Sequence, residues 1–207
     1  MARHVEQLWV KELFVENKFE MLKPVWRGIR MPLSGMGRAG ANDPAWTQVG
    51  ATALYVPGFA ATGTDELFFF ASVGHMTKPG TEYRDTYDEN DQVTNEMKCY
   101  LNWAPSSTNT GNVEWTVDKV IYIDEDSEPQ TAQEKTVVAA NGTATKRQST
   151  LISTCDMSSF TIHTLVGFRV GRDNGVNDTF TGTALGFYVE QKMPISRLGT
   201  ENIEGDA

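Results

Sequence analysis

Between residues 50 and 191 the chain is a train of eight short apolar stretches, each closed by turn-forming residues. The stretches run 51–59, 66–73, 96–103, 113–123, 135–140, 143–153, 165–172 and 183–191. Turn sequences punctuate them: Thr62-Gly63, Lys78-Pro79-Gly80, Asn109-Thr110-Gly111-Asn112, Asn141-Gly142, Arg172-Asp173-Asn174-Gly175 and Thr181-Gly182. Glycine supplies positive φ and asparagine tolerates it, so such sites reverse the chain at little steric cost. Within the stretches the period is two. Met97, Cys99, Leu101 and Trp103 share one face, opposite Lys98, Tyr100 and Asn102. Val113, Trp115, Val117 and Lys119 alternate with Glu114, Thr116 and Asp118. Alternation of this kind marks strands with one buried face. Eight of them without a convincing helix predict an all-β, antiparallel, jelly-roll-like sandwich.

Residues 1–45 differ. Leu8, Trp9, Leu13, Phe14, Phe19 and Leu22 are scattered among charges and fit a helical stripe and a hairpin equally poorly. Both faces of such a segment carry large apolar groups, which calls for a partner. Pro24, Pro32, Gly35, Gly37, Gly40 and Pro44 then break any long element. The segment therefore reads as an extended or partly helical N-terminal arm. Its candidate anchoring or oligomerising residues are Trp9, Leu13, Phe14, Phe19 and Trp26. Residues 46–195 form the sandwich, and 196–207 a polar, acidic tail. Leu33-Ser34-Gly35-Met36-Gly37 reads as a flexible loop, since it does not follow a strand in a βαβ unit.

Charge and hydropathy exclude several functions. A net charge of −9 disfavours general nucleic-acid binding, because phosphates repel an acidic surface. No run of about 18 apolar residues exists to span a membrane, and residues 1–4 do not open a signal peptide. Synthesis and residence in a cytosol are expected, where Cys99 and Cys155 would stay as buried free thiols. His4, His75 and His163 are isolated, and no cysteine or histidine pair has zinc-ligand spacing. The acidic stretches Asp85, Asp88, Glu89, Asp91 and Asp124, Glu125, Asp126, Glu128 lack the order of an EF-hand and read as solvated loops. No metal, cofactor or catalytic residue is expected. Asn141-Gly142-Thr143 and Asn177-Asp178-Thr179 match a glycosylation acceptor but read as polar turns.

A glycosidase would need two carboxylates across a cleft with aromatic platforms nearby. Glu114 and Asp118, with Trp103 and Trp115, are the residues available, and core packing of both indoles is the stronger reading. A binding module would use Trp103, Trp115 or Tyr188 against the face of a host-surface glycan.

Several stretches together resemble a known group. They are Ser72-Val73-Gly74-His75-Met76-Thr77-Lys78-Pro79-Gly80-Thr81, then Leu101-Asn102-Trp103-Ala104-Pro105-Ser106-Ser107 with Thr110-Gly111-Asn112-Val113-Glu114-Trp115, then Phe168-Arg169-Val170-Gly171-Arg172-Asp173, then Leu185-Gly186-Phe187-Tyr188-Val189. The upstream run Val25-Trp26-Arg27-Gly28-Ile29-Arg30-Met31-Pro32-Leu33 fits the same pattern. Over residues 24–192 the order is similar to small tailed-bacteriophage virion structural proteins of β-sandwich type. The group often carries a His-x-His-Trp run where this chain has Tyr100-Leu101-Asn102-Trp103, so a role tied to those histidines does not carry over. The resemblance implies a non-enzymatic homotrimeric appendage of the virion, attached by its N-terminal end to capsid or tail proteins and assembled in the host bacterial cytoplasm. A capsid decoration or short fibre protein is the expected function; a carbohydrate-binding, receptor-binding module of a tail fibre is the alternative.

Overall fold

A computed structural model describes residues 25–38, 40, 42–72, 96–123, 128–157, 160 and 164–195. The anchor candidates Trp9, Leu13, Phe14 and Phe19 lie outside these residues, as do all three histidines, the acidic residues 85–91 and 124–126, and the tail.

Eleven strands are described: β1 (Val25–Pro32), β2 (Gly37–Arg38), β3 (Ala45–Gln48), β4 (Tyr55–Phe59), β5 (Asp65–Ser72), β6 (Glu96–Pro105), β7 (Asn112–Tyr122), β8 (Gln130–Ala139), β9 (Gln148–Asp156), β10 (Leu165–Asp173) and β11 (Ala184–Ile195). One sheet runs β3-β4-β11-β6-β9, with β1 also paired to β11; the other runs β2-β5-β10-β7-β8. Every pairing is antiparallel. Counting β4 to β11 as one to eight, the sheets read 1-8-3-6 and 2-7-4-5. That is the jelly-roll order of two interlocked Greek keys. These eight strands correspond one for one to the eight apolar stretches of the sequence.

Three features differ from the sequence reading. First, the sandwich begins before residue 45: β1 pairs along β11 from Val25↔Ile195 to Pro32↔Tyr188. Trp26 accordingly sits on a strand of the sheet, at register with Pro194. Second, residues 33–37 are not a flexible loop. Leu33–Gly35 make a 3-10 turn, and Leu33 and Met36 enter the core. Leu33 packs so tightly on Gly186 that a Cβ there would meet its Cδ1 at 2.4 Å. Third, the expected strand from 143 starts only at Gln148, because Gly142 (φ 68°) and Thr145 (φ 60°) turn the chain first.

The core lies between the sheets. Trp115 is at its centre, edge-on to Phe59 at 5.2 Å and to Trp103 at 5.4 Å between ring centroids. Phe69 stacks on Phe168 at 5.1 Å. Offset and edge-to-face ring pairs of this kind add to the gain from area burial. At one open edge the inward Lys119 donates to Glu134 and to the Thr154 carbonyl, and so ties β7, β8 and β9 together.

Cys99 and Cys155 are buried free thiols. Burial pushes the Cys99 thiol from 9.0 up to about 12, with Cys155 beside it adding to the shift. Burial likewise pushes Cys155 from 9.0 up to about 11. Because the folded values lie above the unfolded ones, the stability linked to these thiols is whole below about pH 9 and is lost as the pH rises through the folded values. Chemical denaturation followed at pH 7, 9 and 10.5 should show stability falling across the upper two. Thiol reagents should label the native protein only as fast as it opens; immediate labelling of two thiols at pH 7 would contradict this burial.

Candidate functional site

The outer face of the five-stranded sheet carries the most unusual surface among the described residues. Its origin is the run Leu67-Phe68-Phe69-Phe70 in β5. Leu67 and Phe69 point inward and are buried, whereas Phe68 and Phe70 point out and are 39% and 59% exposed. Strand alternation leaves no other outcome for four successive apolar residues. On β7, Val120 and Tyr122 fall on the same outer face, and Tyr122 is also 39% exposed.

Strand register assembles these residues into rows. Phe68 of β5 is level with Arg169 of β10, Asp118 of β7 and Gln133 of β8. One step along, Phe70 is level with Gly167, Val120 and Thr131. The middle position of that second row is glycine, and this makes the depression. The Phe70 ring leans across it, so that a Cβ on Gly167 would lie 2.6 Å from Cε1. Phe68 lies in the same way over Gly37 of β2. The resulting groove has a volume of about 400 Å³ and is lined chiefly by Phe68, Phe70, Val120, Tyr122 and Arg169.

A polar wall closes one end. Arg169 donates from Nε to Asp118 Oδ2 at 2.6 Å, and its Nη1 is 3.3 Å from Glu66 Oε2. Gln133 Nε2 donates to Asp118 Oδ1 at 2.7 Å. The hydrogen bond that Arg169 donates to Asp118 raises the guanidinium above its ordinary range. Arg169 stays half exposed. Apolar ring faces beside fixed donors and acceptors make an amphipathic surface, suited to a ligand that is apolar on one face and polar around its edge.

The candidates from sequence fare differently. Trp103 and Trp115 are not surface platforms: both are fully buried, because their inward register places them between the sheets. Trp103 Nε1 donates to Thr150 Oγ1 at 3.0 Å. Tyr188 is half-buried on the outer face of the other sheet, where Arg30 lies over its ring at 5.5 Å and Arg147 donates to its hydroxyl at 2.7 Å. It lies on the opposite sheet from the groove. Glu114 and Asp118 do not face each other across a cleft. They are four residues apart on one strand, about 13 Å along it, against the roughly 5–9.5 Å that glycosidases use. Glu114 is also 96% buried by its side chain, since only 4% of it is exposed. Among the described residues no group of three or more His, Cys, Asp or Glu could hold a metal ion.

Phe68, Phe70 and Tyr122 were missed by sequence reasoning, although a signal existed. An antiparallel strand that is apolar at four consecutive positions must be apolar on both faces. What covers or uses the second face is a question the period of two cannot answer.

No protein-family model matches the chain, and no curated protein matches it. Among solved structures, the chain is similar to the CBM36-1 domain of a multidomain xylanase from the hindgut metagenome of Trinervitermes trinervoides. The identity is 10% and the TM-score 0.40, with 80% of this chain and 96% of that one covered. At that score the likeness decides nothing about this chain, whose jelly-roll order rests on its own strand pairing.

Proposed function

We propose that this chain is a non-enzymatic structural component of a bacteriophage virion, a capsid decoration or short fibre protein. The observation that carries the reading is where the family-like stretches fall. Leu101-Asn102-Trp103, Val113-Glu114-Trp115, Phe168 to Asp173 and Leu185 to Val189 lie on β6, β7, β10 and β11, neighbours in the interior of the two sheets. They meet one another: Trp103 is level with Gly186, and Arg172 with Trp115. The residues of these four stretches are therefore framework residues. A group of proteins sharing them shares a scaffold and no chemistry, which suits a particle component.

The arm supplies the attachment. Because β1 begins at Val25, a truncation that tests the arm must stop at residue 24; removing 1–45 would take two strands of the sandwich with it. Light scattering after size exclusion should give a trimer for the full chain and a monomer for the chain lacking residues 1–24. A monomeric full chain would sink the arm-anchored appendage.

The groove over β5, β10 and β7 favours a second reading, a receptor-binding module in which the same sandwich holds a host-surface glycan.

A further inference from the structure

We infer that the groove between Phe68, Phe70, Val120 and Tyr122 is a binding site for a neutral oligosaccharide of pyranose rings. The inference rests on the reading of the chain as a non-catalytic binding appendage and gives that reading a surface and a ligand class. Three properties of the groove select the ligand.

The first is its amphipathic layout. A pyranose ring has C–H groups on its faces and hydroxyls around its rim. Phe70, 59% exposed and lying close against Gly167, offers an aromatic ring of matching size. Tyr122 lines the same groove from β7. Hydroxyls reaching the end of the groove meet Arg169 as donor and the Asp118 and Glu66 carboxylates as acceptors. Those groups are already fixed by their own contacts, so little side-chain freedom is lost on binding. Gln133, held by Asp118, extends the polar edge.

The second is charge. The polar wall has one cation, Arg169, against two carboxylates, Asp118 and Glu66. A phosphate, a uronate or a nucleic-acid backbone would meet a net negative wall and a guanidinium that is already paired. Neutral hydroxyls meet no such repulsion.

The third is shape. A volume of about 400 Å³ falls within the roughly 300–1,000 Å³ typical of small-molecule sites. A second copy of the chain fits poorly. Isologous contact would set one depression against another and would bury the Arg169, Asp118 and Glu66 charges at a desolvation cost.

The test is calorimetric titration of the full chain with cellohexaose, xylohexaose, maltohexaose and mannohexaose, with polygalacturonate as the anionic comparison. At least one neutral hexasaccharide should bind, and polygalacturonate should not. Phe70→Ala and Tyr122→Ala should each weaken that binding at least tenfold, and Leu151→Ser, on the outer face of the opposite sheet, should leave it unchanged. Both aromatic side chains are exposed, so the variants should melt within a few degrees of the parent, and circular dichroism checks that they do. Flat titrations across the four sugars would overturn the site, as would binding that Phe70→Ala leaves intact. A full-chain oligomer that Phe70→Ala dissolves would overturn it too, in favour of an interface between copies. Loss of the sugar site alone would leave the arm-anchored appendage standing, because that reading is decided by the mass of the chain lacking residues 1–24.

Discussion

Replacing Arg172 by methionine should cost about 3–5 kcal/mol of folding stability, because it strands a buried carboxylate. Arg172 and Asp178 have 0% and 2% of their side chains exposed. All five guanidinium N–H groups are used. Nε and Nη2 grip Asp178 in bidentate fashion at 2.7 and 2.6 Å. Nη1 donates to the Gly182 and Phe59 carbonyls at 2.7 and 3.1 Å, and Nη2 also donates to the Phe180 carbonyl. One side chain thereby fastens the β10–β11 connection onto the end of β4. Asp178 completes the arrangement by accepting the Glu114 amide at 3.1 Å.

For a chain of this size, a loss of that order lowers the melting temperature by about 10 °C. Arg172→Lys should recover little, since an ammonium cannot reproduce a planar fork with five donors. Arg172→Met combined with Asp178→Leu should be more stable than Arg172→Met alone. Removing both charges takes away the unpaired one, and apolar replacement of a whole buried pair is often close to neutral. Urea denaturation of the four proteins measures this. A single Arg172→Met variant within 1 kcal/mol of the parent would show that the pair is not structural.

Trp115→Ala should be comparably severe, costing about 3–5 kcal/mol, since a fully buried indole leaves a cavity that the sheets cannot close. Its neighbours Phe59 and Trp103 lose their edge-on partner at once. The phenylalanine variants separate packing from hydrogen bonding. Trp115 Nε1 has no protein acceptor, so Trp115→Phe gives up volume alone. Trp103→Phe gives up similar volume and also strands the buried Thr150 hydroxyl, its acceptor at 3.0 Å. Leaving such a group unmet costs about 1–3 kcal/mol. Thermal melts should therefore place Trp103→Phe below Trp115→Phe; the reverse order would mean that the Trp103–Thr150 bond contributes nothing.

These two sites show how unevenly the sequence speaks. Trp115 was legible. It alternates with Glu114 and Thr116 in a strand-like stretch, and an indole on the apolar face of such a strand is a core residue. The same logic makes Trp103 a core residue and weakens both as ligand platforms on the sequence alone. Arg172 was not legible. It stands at the end of a strand beside Asp173-Asn174-Gly175, where the pattern announces a turn, and an arginine in a turn is ordinarily solvated. Its carboxylate partner is six residues on, and two of its carbonyl partners belong to the connection that the turn opens. Only the folded loop brings them together.

The missed strands have a related cause. β1 contains Gly28 and ends at Pro32, β2 is two residues long and β3 four. β2 and β3 offer too few positions for a period of two to be recognised, and in β1 the glycine and the closing proline read as breakers among Pro24, Gly35 and Gly37. β1 exists because β11 presents a free edge eight residues long, from Tyr188 to Ile195. That edge is a property of the assembled sheet.

What the sequence determined by itself, then, was local and periodic. It set eight strands, most of their turns, the inward faces of the stretches around Trp103 and Trp115, and thus an antiparallel sandwich with two buried thiols. Alternation and turn chemistry act over a few residues, and the chain carries them wherever it goes. The tertiary structure decided everything that depends on which strand lies beside which. It placed Gly167 between Phe70 and Val120, which turns two rows of side chains into a groove. It brought Arg169 level with Asp118, and Arg172 within reach of Asp178 and the Phe59 carbonyl. Neighbours in a jelly roll are mostly distant in sequence, so their pairing is fixed by the burial of the whole core and not by any stretch of residues alone.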